Sequence, residues 1–180
     1  SLSYQEGEAY YIPLKHDDDS VDQLDLDTVL EEFRPLLEGS SNKIIGQNIK
    51  FDMNVLAKYG VEIASIKNDT MMMSYVLDAS ATRHNLDALS SYYLNYKTST
   101  FEDVAGKGVK QITFDKVPIE AATNYAAEDA DITLRLYEEL NTRLESEDSL
   151  NKLNDEIEIP LIEVLSDCLL YTSDAADDIP

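Results

Sequence analysis

Two aspartates stand at positions that apolar residues would ordinarily fill. From Pro118 to about Leu144 the sequence reads as one long helix, with Pro118 suited to its first turn. Ala122, Tyr125, Ile132, Leu136 and Leu140 recur at helical spacing and define its apolar stripe. Asp129 falls on that stripe, one turn beyond Tyr125, where an unpaired carboxylate costs several kcal/mol. Asn124, Glu128, Asp131 and Arg135 read as the opposite, solvated side, with no further role. A helix following Asn48 repeats the pattern: Ile49, Met53 and Leu56 form its apolar face and Asp52 lies between them. One such acid reads as a snorkelling or capping residue. Two on separate helices, one with a tyrosine a turn before it, point to a site for a divalent metal.

The remaining composition narrows the ligand chemistry. The only histidines are His16 and His84, and Cys168 is the single cysteine, which excludes a histidine-rich centre, a cysteine-based zinc site and an internal disulfide. A metal would therefore be held by oxygen. The formal net charge of −22 argues, taken alone, against a nucleic-acid partner. A metal site carries its own positive charge, and a fused basic neighbour lends its field, so the charge does not close that possibility. A hydrophobic share of 43% over 180 residues is enough for one domain with a real core. No apolar run approaches membrane-spanning length, the opening residues have no signal-peptide pattern, and a cytoplasmic location is expected.

These acids need a scaffold. Leu2–Tyr4 and Ala9–Leu14 read as strands around a Glu6-Gly7 turn. Val29–Leu37 reads as a helix ended by Gly39, and Lys43–Gly46 as a short strand. Ile49–Tyr59 reads as a helix with Asn48 as its N-cap and Gly60 as its stop. Helices are expected from about Thr70 through Leu77 and over Leu86–Leu94, and a loop over Thr98–Val117. Glu145–Ser149 is a polar break before the apolar segment Ile157–Leu165. Strands mixed with helices in this order predict an α/β domain. Cys168–Asp177 resembles a sequencing adapter translated in frame and is set aside from the fold.

With the elements placed, five motifs match one family in order. Gly46-Gln47-Asn48-Ile49-Lys50-Phe51-Asp52 resembles the second exonuclease motif of the proofreading domain of bacterial family A DNA polymerases. Tyr125-Ala126-Ala127-Glu128-Asp129 resembles its third motif, the Tyr-x-x-x-Asp form of the DEDDy group. Asp69-Thr70, Arg83-His84-Asn85-Leu86-Asp87 and Phe101 through Gly108 are similar to the segments between them. The resemblance covers roughly Leu2 to Asp167. It implies an α/β, RNase H-like fold, a mixed sheet flanked by helices, and two divalent cations, Mg2+ or Mn2+, at four carboxylates. It implies two-metal hydrolysis of the terminal nucleotide at a single-stranded 3′ end of DNA. By motif position Asp129 would bind the first cation and Asp52 the second, with Tyr125 orienting the attacking water. Gln47, Asn48, Phe51, Arg83 and Phe101 would meet the terminal nucleotides, Phe101 by apolar or stacking contact. Asn48 as a mere cap and Phe101 as ordinary core compete with those roles. Lys97, Lys107, Lys110 and Lys116 form the best local phosphate-attracting stretch, with a solvated loop as the plain alternative.

The family's first motif, Asp-x-Glu, occurs nowhere in the sequence. In the family it belongs on the first, central strand, upstream of the hairpin, and neither Asp17-Asp18-Asp19 nor Glu6 and Glu8 replaces it. The chain is accordingly expected to be a truncated fragment, inactive or nearly so, unstable or aggregation-prone alone. Its expected organisation is an exonuclease domain over 1–150, the opening of a covalently linked polymerase domain over 151–167, and an adapter-derived tail over 168–180. Three other readings stand beside this one: a non-catalytic exonuclease-like scaffold of a polymerase, a free-standing RNase D-type exonuclease, and an acidic helical interaction module.

Overall fold

The structure, a computed structural model, describes the backbone of residues 1–18 and 21–177, with side chains as far as Leu169. Asp19, the last of the acidic run, and most of the adapter-like tail's side chains lie outside the described residues. The chain divides into two compact units. Residues 1–32 and 82–139 make the first, and residues 33–81 and 140–180 the second.

In the first unit, β1 (Leu2–Gln5) and β2 (Glu8–Tyr10) form the expected antiparallel hairpin. Gly7 takes the positive φ of 78° that the turn requires. The register pairs Leu2 with Tyr10 and Ser3 with Ala9, then shifts before Gln5 meets Glu8. The second strand stops at Tyr10 rather than continuing to Leu14, ahead of Pro13, which has no N–H for a ladder. Helix α1 (Leu26–Leu37) starts about a turn earlier than its apolar pattern suggests. Asp25 is the reason: its Oδ1 accepts from the Thr28 amide at 3.0 Å and the Thr28 hydroxyl at 2.9 Å.

The second unit contains β3 (Ile44–Gly46), α2 (Lys50–Ala57), β4 (Ile66–Asp69) and α3 (Thr70–Asp78). β3 and β4 pair in parallel, Ile44 with Ile66, Ile45 with Asn68 and Gly46 with Asp69. Parallel neighbours need a crossover, and α2 supplies it. Ile49, Ile63 and Ile162 form the buried heart of this unit, with Leu37, Ile44, Met53, Leu56, Ile66, Met72 and Ile159 packed around them. Gly46 is obligatory there, because a Cβ on it would stand 2.7 Å from that of Ile49.

The rest of the chain is helical. α4 (Leu86–Leu89) runs into a π turn over Ser90–Leu94, closed by Asn95 in the left-handed region. The expected loop over 98–117 contains α5 (Phe101–Ala105) and two single 3-10 turns. The long helix α6 (Ile119–Glu145) buries Ala122, Ala126, Ile132, Leu136, Leu140 and Leu144 along one stripe. α7 (Asp148–Leu153), a π turn and α8 (Ile159–Asp177) complete the chain. The four strands among the described residues form two separate two-stranded ladders rather than one mixed sheet. No helix among those residues is long and apolar enough to cross a membrane.

Candidate active site

α6 carries the first half of the candidate site. Tyr125 and Asp129, one turn apart, are both half-buried beside the apolar stripe, and the Tyr125 hydroxyl interacts with the Asp129 carboxylate. That interaction partly compensates the acid. Burial still dominates and pushes the Asp129 carboxyl up to about 6, with the Tyr125 hydroxyl opposing and the negative charges of Asp87 and Glu128 adding to the rise. The Tyr125 phenol is pushed well above its ordinary value, first by burial and then by the Asp129 charge.

An aromatic cluster supports the tyrosine. Phe101, the first residue of α5, meets the Tyr125 ring edge-on with centroids 6.4 Å apart, and Phe114 meets it at 5.9 Å. Phe114 also touches Phe101, Tyr11 and His16. Phe101 is 38% exposed, so it belongs to the cluster yet keeps a face in solvent. Arg83 is exposed at the entry to α4 in the same unit.

Asp52, Gln47, Asn48 and Phe51 belong to the second unit, around the start of α2. Asp52 is solvent-exposed, not set into the apolar face as its spacing suggests. Ile49, Met53 and Leu56 turn inward, and a residue adjacent to Met53 sits about 100° away around the helix, at the edge of that face. Its carboxyl is nevertheless raised, by desolvation first and also by the charge of Asp69; water screens that effect at an exposed group. Asn48 is not the N-cap of α2. It takes a left-handed φ of 59°, Ile49 precedes the helix without a side-chain cap, and Asp69 Oδ2 accepts the Ile49 amide at 2.7 Å. Gln47 Oε1 accepts from the Thr70 hydroxyl. Phe51 is 64% exposed.

Asp69 escaped the sequence reading as a structural centre. It is fully buried at the junction of β4 and α3, where Oδ1 caps α3 by accepting the amides of Met71 at 2.8 Å and Met72 at 3.2 Å. Its second oxygen holds the start of α2. Burial raises its carboxyl and these backbone donors oppose the rise. An Asp-Thr step opening an apolar helix is the signal that identifies such a cap.

Glu128 and Asp131 also differ from the solvated-face expectation. Glu128 accepts from the Tyr96 hydroxyl and the Ser99 amide, each at 2.7 Å. Asp131 accepts the Gly7 amide at 2.6 Å and pairs with Arg135 at 2.6 Å, and Arg135 reaches Glu6 at 3.5 Å. Both acids tether neighbouring segments to α6. In the lysine stretch, Lys97, Lys107, Lys110 and Lys116 are all exposed, and Lys107 pairs with Glu102 at 2.8 Å.

Carboxylates are the donor type that a hard divalent cation takes. Among the described residues no group of three or more His, Cys, Asp or Glu side chains converges on a point where an ion would sit.

Comparison with known proteins agrees with the motifs. A family model described as 3′–5′ exonuclease matches residues 1–145, and the chain belongs to that family. It is 50% identical over 169 residues to DNA polymerase I of Pseudomonas aeruginosa, covering 92% of this chain and 18% of that protein. It is 40% identical over 167 residues to DNA polymerase I of Rhizobium leguminosarum, covering 88% and 16% respectively. With DNA polymerase I of Borreliella burgdorferi it shares 38% over 165 residues, covering 92% and 17%. The chain thus spans less than a fifth of the length of these relatives.

Proposed function

We propose that these residues are the body of the proofreading 3′–5′ exonuclease domain of a bacterial DNA polymerase I, hydrolysing the terminal nucleotide from a single-stranded 3′ end of DNA. The interacting pair Tyr125–Asp129, one turn apart on α6 in a chain that belongs to the 3′–5′ exonuclease family, carries the reading. In the parent, Asp129 and Asp52 would each contribute a carboxylate to a pair of divalent cations, and the Asp-x-Glu acids absent from this sequence would supply the rest. Bound there, the cations would supply activation of the water and stabilisation of the leaving 3′ oxygen.

The chain's own residues do the rest. Tyr125, held by the rings of Phe101 and Phe114 along its side and one turn from Asp129, directs its hydroxyl at the attacking water. The exposed face of Phe101 packs on a terminal base, and Phe51, Arg83, Gln47 and Asn48 line the path of the strand. The fold is RNase H-like, with its first strand not contained in this chain. Residues 1–150 form the exonuclease domain, 151–167 open the linked polymerase domain, and 168–180 are adapter-derived.

The retention of Asp52, Tyr125 and Asp129 together supports a working proofreader over a retired scaffold. Relatives that are polymerases along about nine-tenths of the chain support a polymerase over a free-standing RNase D-type enzyme. In the parent, Asp129→Ala abolishes exonuclease activity and spares synthesis. Equal loss of both would show that the acid serves structure instead.

A further inference from the structure

Glu128 and Asp129 are adjacent on α6, and their carboxylates serve different partners. Asp129 interacts with the Tyr125 hydroxyl, while Glu128 Oε1 accepts from Tyr96 and Oε2 from the Ser99 amide, both at 2.7 Å. Both oxygens of one carboxylate are therefore spent on a single short segment. Hydrogen bonds to a charged acceptor are stronger than neutral ones, and Glu128 supplies two of them to this segment. Two further bonds complete the anchoring: the Ser90 hydroxyl donates to the Tyr96 carbonyl at 2.9 Å, and the buried Thr98 hydroxyl donates to Asp87 at 2.8 Å.

The segment leads directly to Phe101. Asp103 Oδ2 accepts both the Thr100 amide and the Thr100 hydroxyl at 2.8 Å, starting α5 with Phe101 as its first residue. From Glu128 to Phe101 the chain passes only through Ser99 and Thr100, each held by a carboxylate. The Phe101 ring then returns to the Tyr125 edge at 6.4 Å.

We propose that Glu128 is a positioning residue for substrate: its carboxylate clamps residues 96–99 so that Phe101 is held where the terminal base packs. The inference rests on the exonuclease reading and gives this acid a separate part in it. Glu128 touches no reacting atom. Its loss loosens the binding of the DNA end and leaves the hydrolytic step intact.

The test is steady-state degradation of a single-stranded, 5′-labelled oligonucleotide by the parent polymerase, with Asp129→Ala, Glu128→Ala, Glu128→Gln and Tyr96→Phe compared. Glu128→Ala should raise KM about tenfold, the loss of two charge-assisted bonds only partly converted into misplacement of Phe101, with kcat unchanged. Glu128→Gln keeps one acceptor oxygen and Tyr96→Phe removes one of the two donors, so both should fall between wild type and Glu128→Ala. These two variants carry the test if Glu128→Ala does not fold. Unchanged KM in all three, with Asp129→Ala inactive, would overturn the clamp and leave the exonuclease reading standing. A fall in kcat with unchanged KM would also overturn it, by placing Glu128 in the hydrolytic step. Undiminished turnover by Asp129→Ala would sink the exonuclease reading and the clamp together.

Discussion

The Tyr125 hydroxyl interacts with the carboxylate of Asp129, one helical turn further along α6. The interaction partly offsets the cost of keeping a carboxylate beside the apolar stripe. Tyr125→Phe removes the hydroxyl and keeps the ring contacts with Phe101 and Phe114. In the parent it should lower exonuclease kcat by about ten- to a hundredfold, the range for a group acting on a reacting water. Polymerase activity measured on the same preparation should not change.

Asp129 also makes a pH prediction. Its folded value of about 6 lies above the ordinary 3.8, so the folded form binds the proton more tightly than the unfolded chain does. Stability from this group is therefore greatest at low pH and is lost as pH rises from about 4 to about 6. Asp129→Asn should raise the melting temperature of the metal-free parent at pH 7.5, and the gain should vanish near pH 4. Saturating magnesium should reverse the sign at pH 7.5, because only the aspartate is then stabilised by a bound cation. A melting temperature insensitive to pH in both proteins would contradict this.

This chain alone contains no Asp-x-Glu. Incubated with a labelled single-stranded oligonucleotide and magnesium, it should release no nucleotide above a chelator control. An extended chain carrying an upstream Asp-x-Glu strand should degrade the strand from its 3′ end. Full-rate degradation by the short chain would remove the requirement for those acids.

Asp69 is a stability centre, since its two oxygens serve the amides of Ile49, Met71 and Met72. Asp69→Ala leaves three backbone donors, one buried and two half-buried, without this acceptor and should cost about 3 kcal/mol. Urea denaturation of the parent's exonuclease transition measures it. Asp69→Asn, which keeps one acceptor oxygen, should cost less.

Asp131 anchors the β1–β2 hairpin through the Gly7 amide. Asp131→Ala should speed hydrogen exchange at that amide by about tenfold or more, since the lost bond is charge-assisted. Exchange within α6 should stay slow. Equal protection at Gly7 in both proteins would show that the hairpin is held by other contacts.

Much of the molecule follows from local chemistry that a sequence displays. The hairpin around Gly7, the long amphipathic helix after Pro118 and the Tyr-x-x-x-Asp spacing all depend on residues a few positions apart. Periodicity and turn preference therefore reveal them. The motif order from Gly46 to Asp129 identifies the family for the same reason. Where local signals compete, the reading slipped: α1 begins early on an unrecognised Asp25 cap, and α5 lay hidden in a stretch rich in loop residues.

Tertiary structure decided which acids are solvated and which bind the chain together. Glu128 and Asp131 share the polar side of α6 by spacing, yet each accepts a backbone amide distant in sequence, from Ser99 and from Gly7. Asn48 looks like a cap for α2, while the amide of Ile49 is satisfied by Asp69, which a strand pairing brings alongside. A donor in a sequence does not name its acceptor when the acceptor arrives through the fold. The placement of Tyr125 and Asp129 one turn apart on a single helix was legible from their spacing; the attachments that hold Phe101 beside Tyr125 came only from tertiary packing.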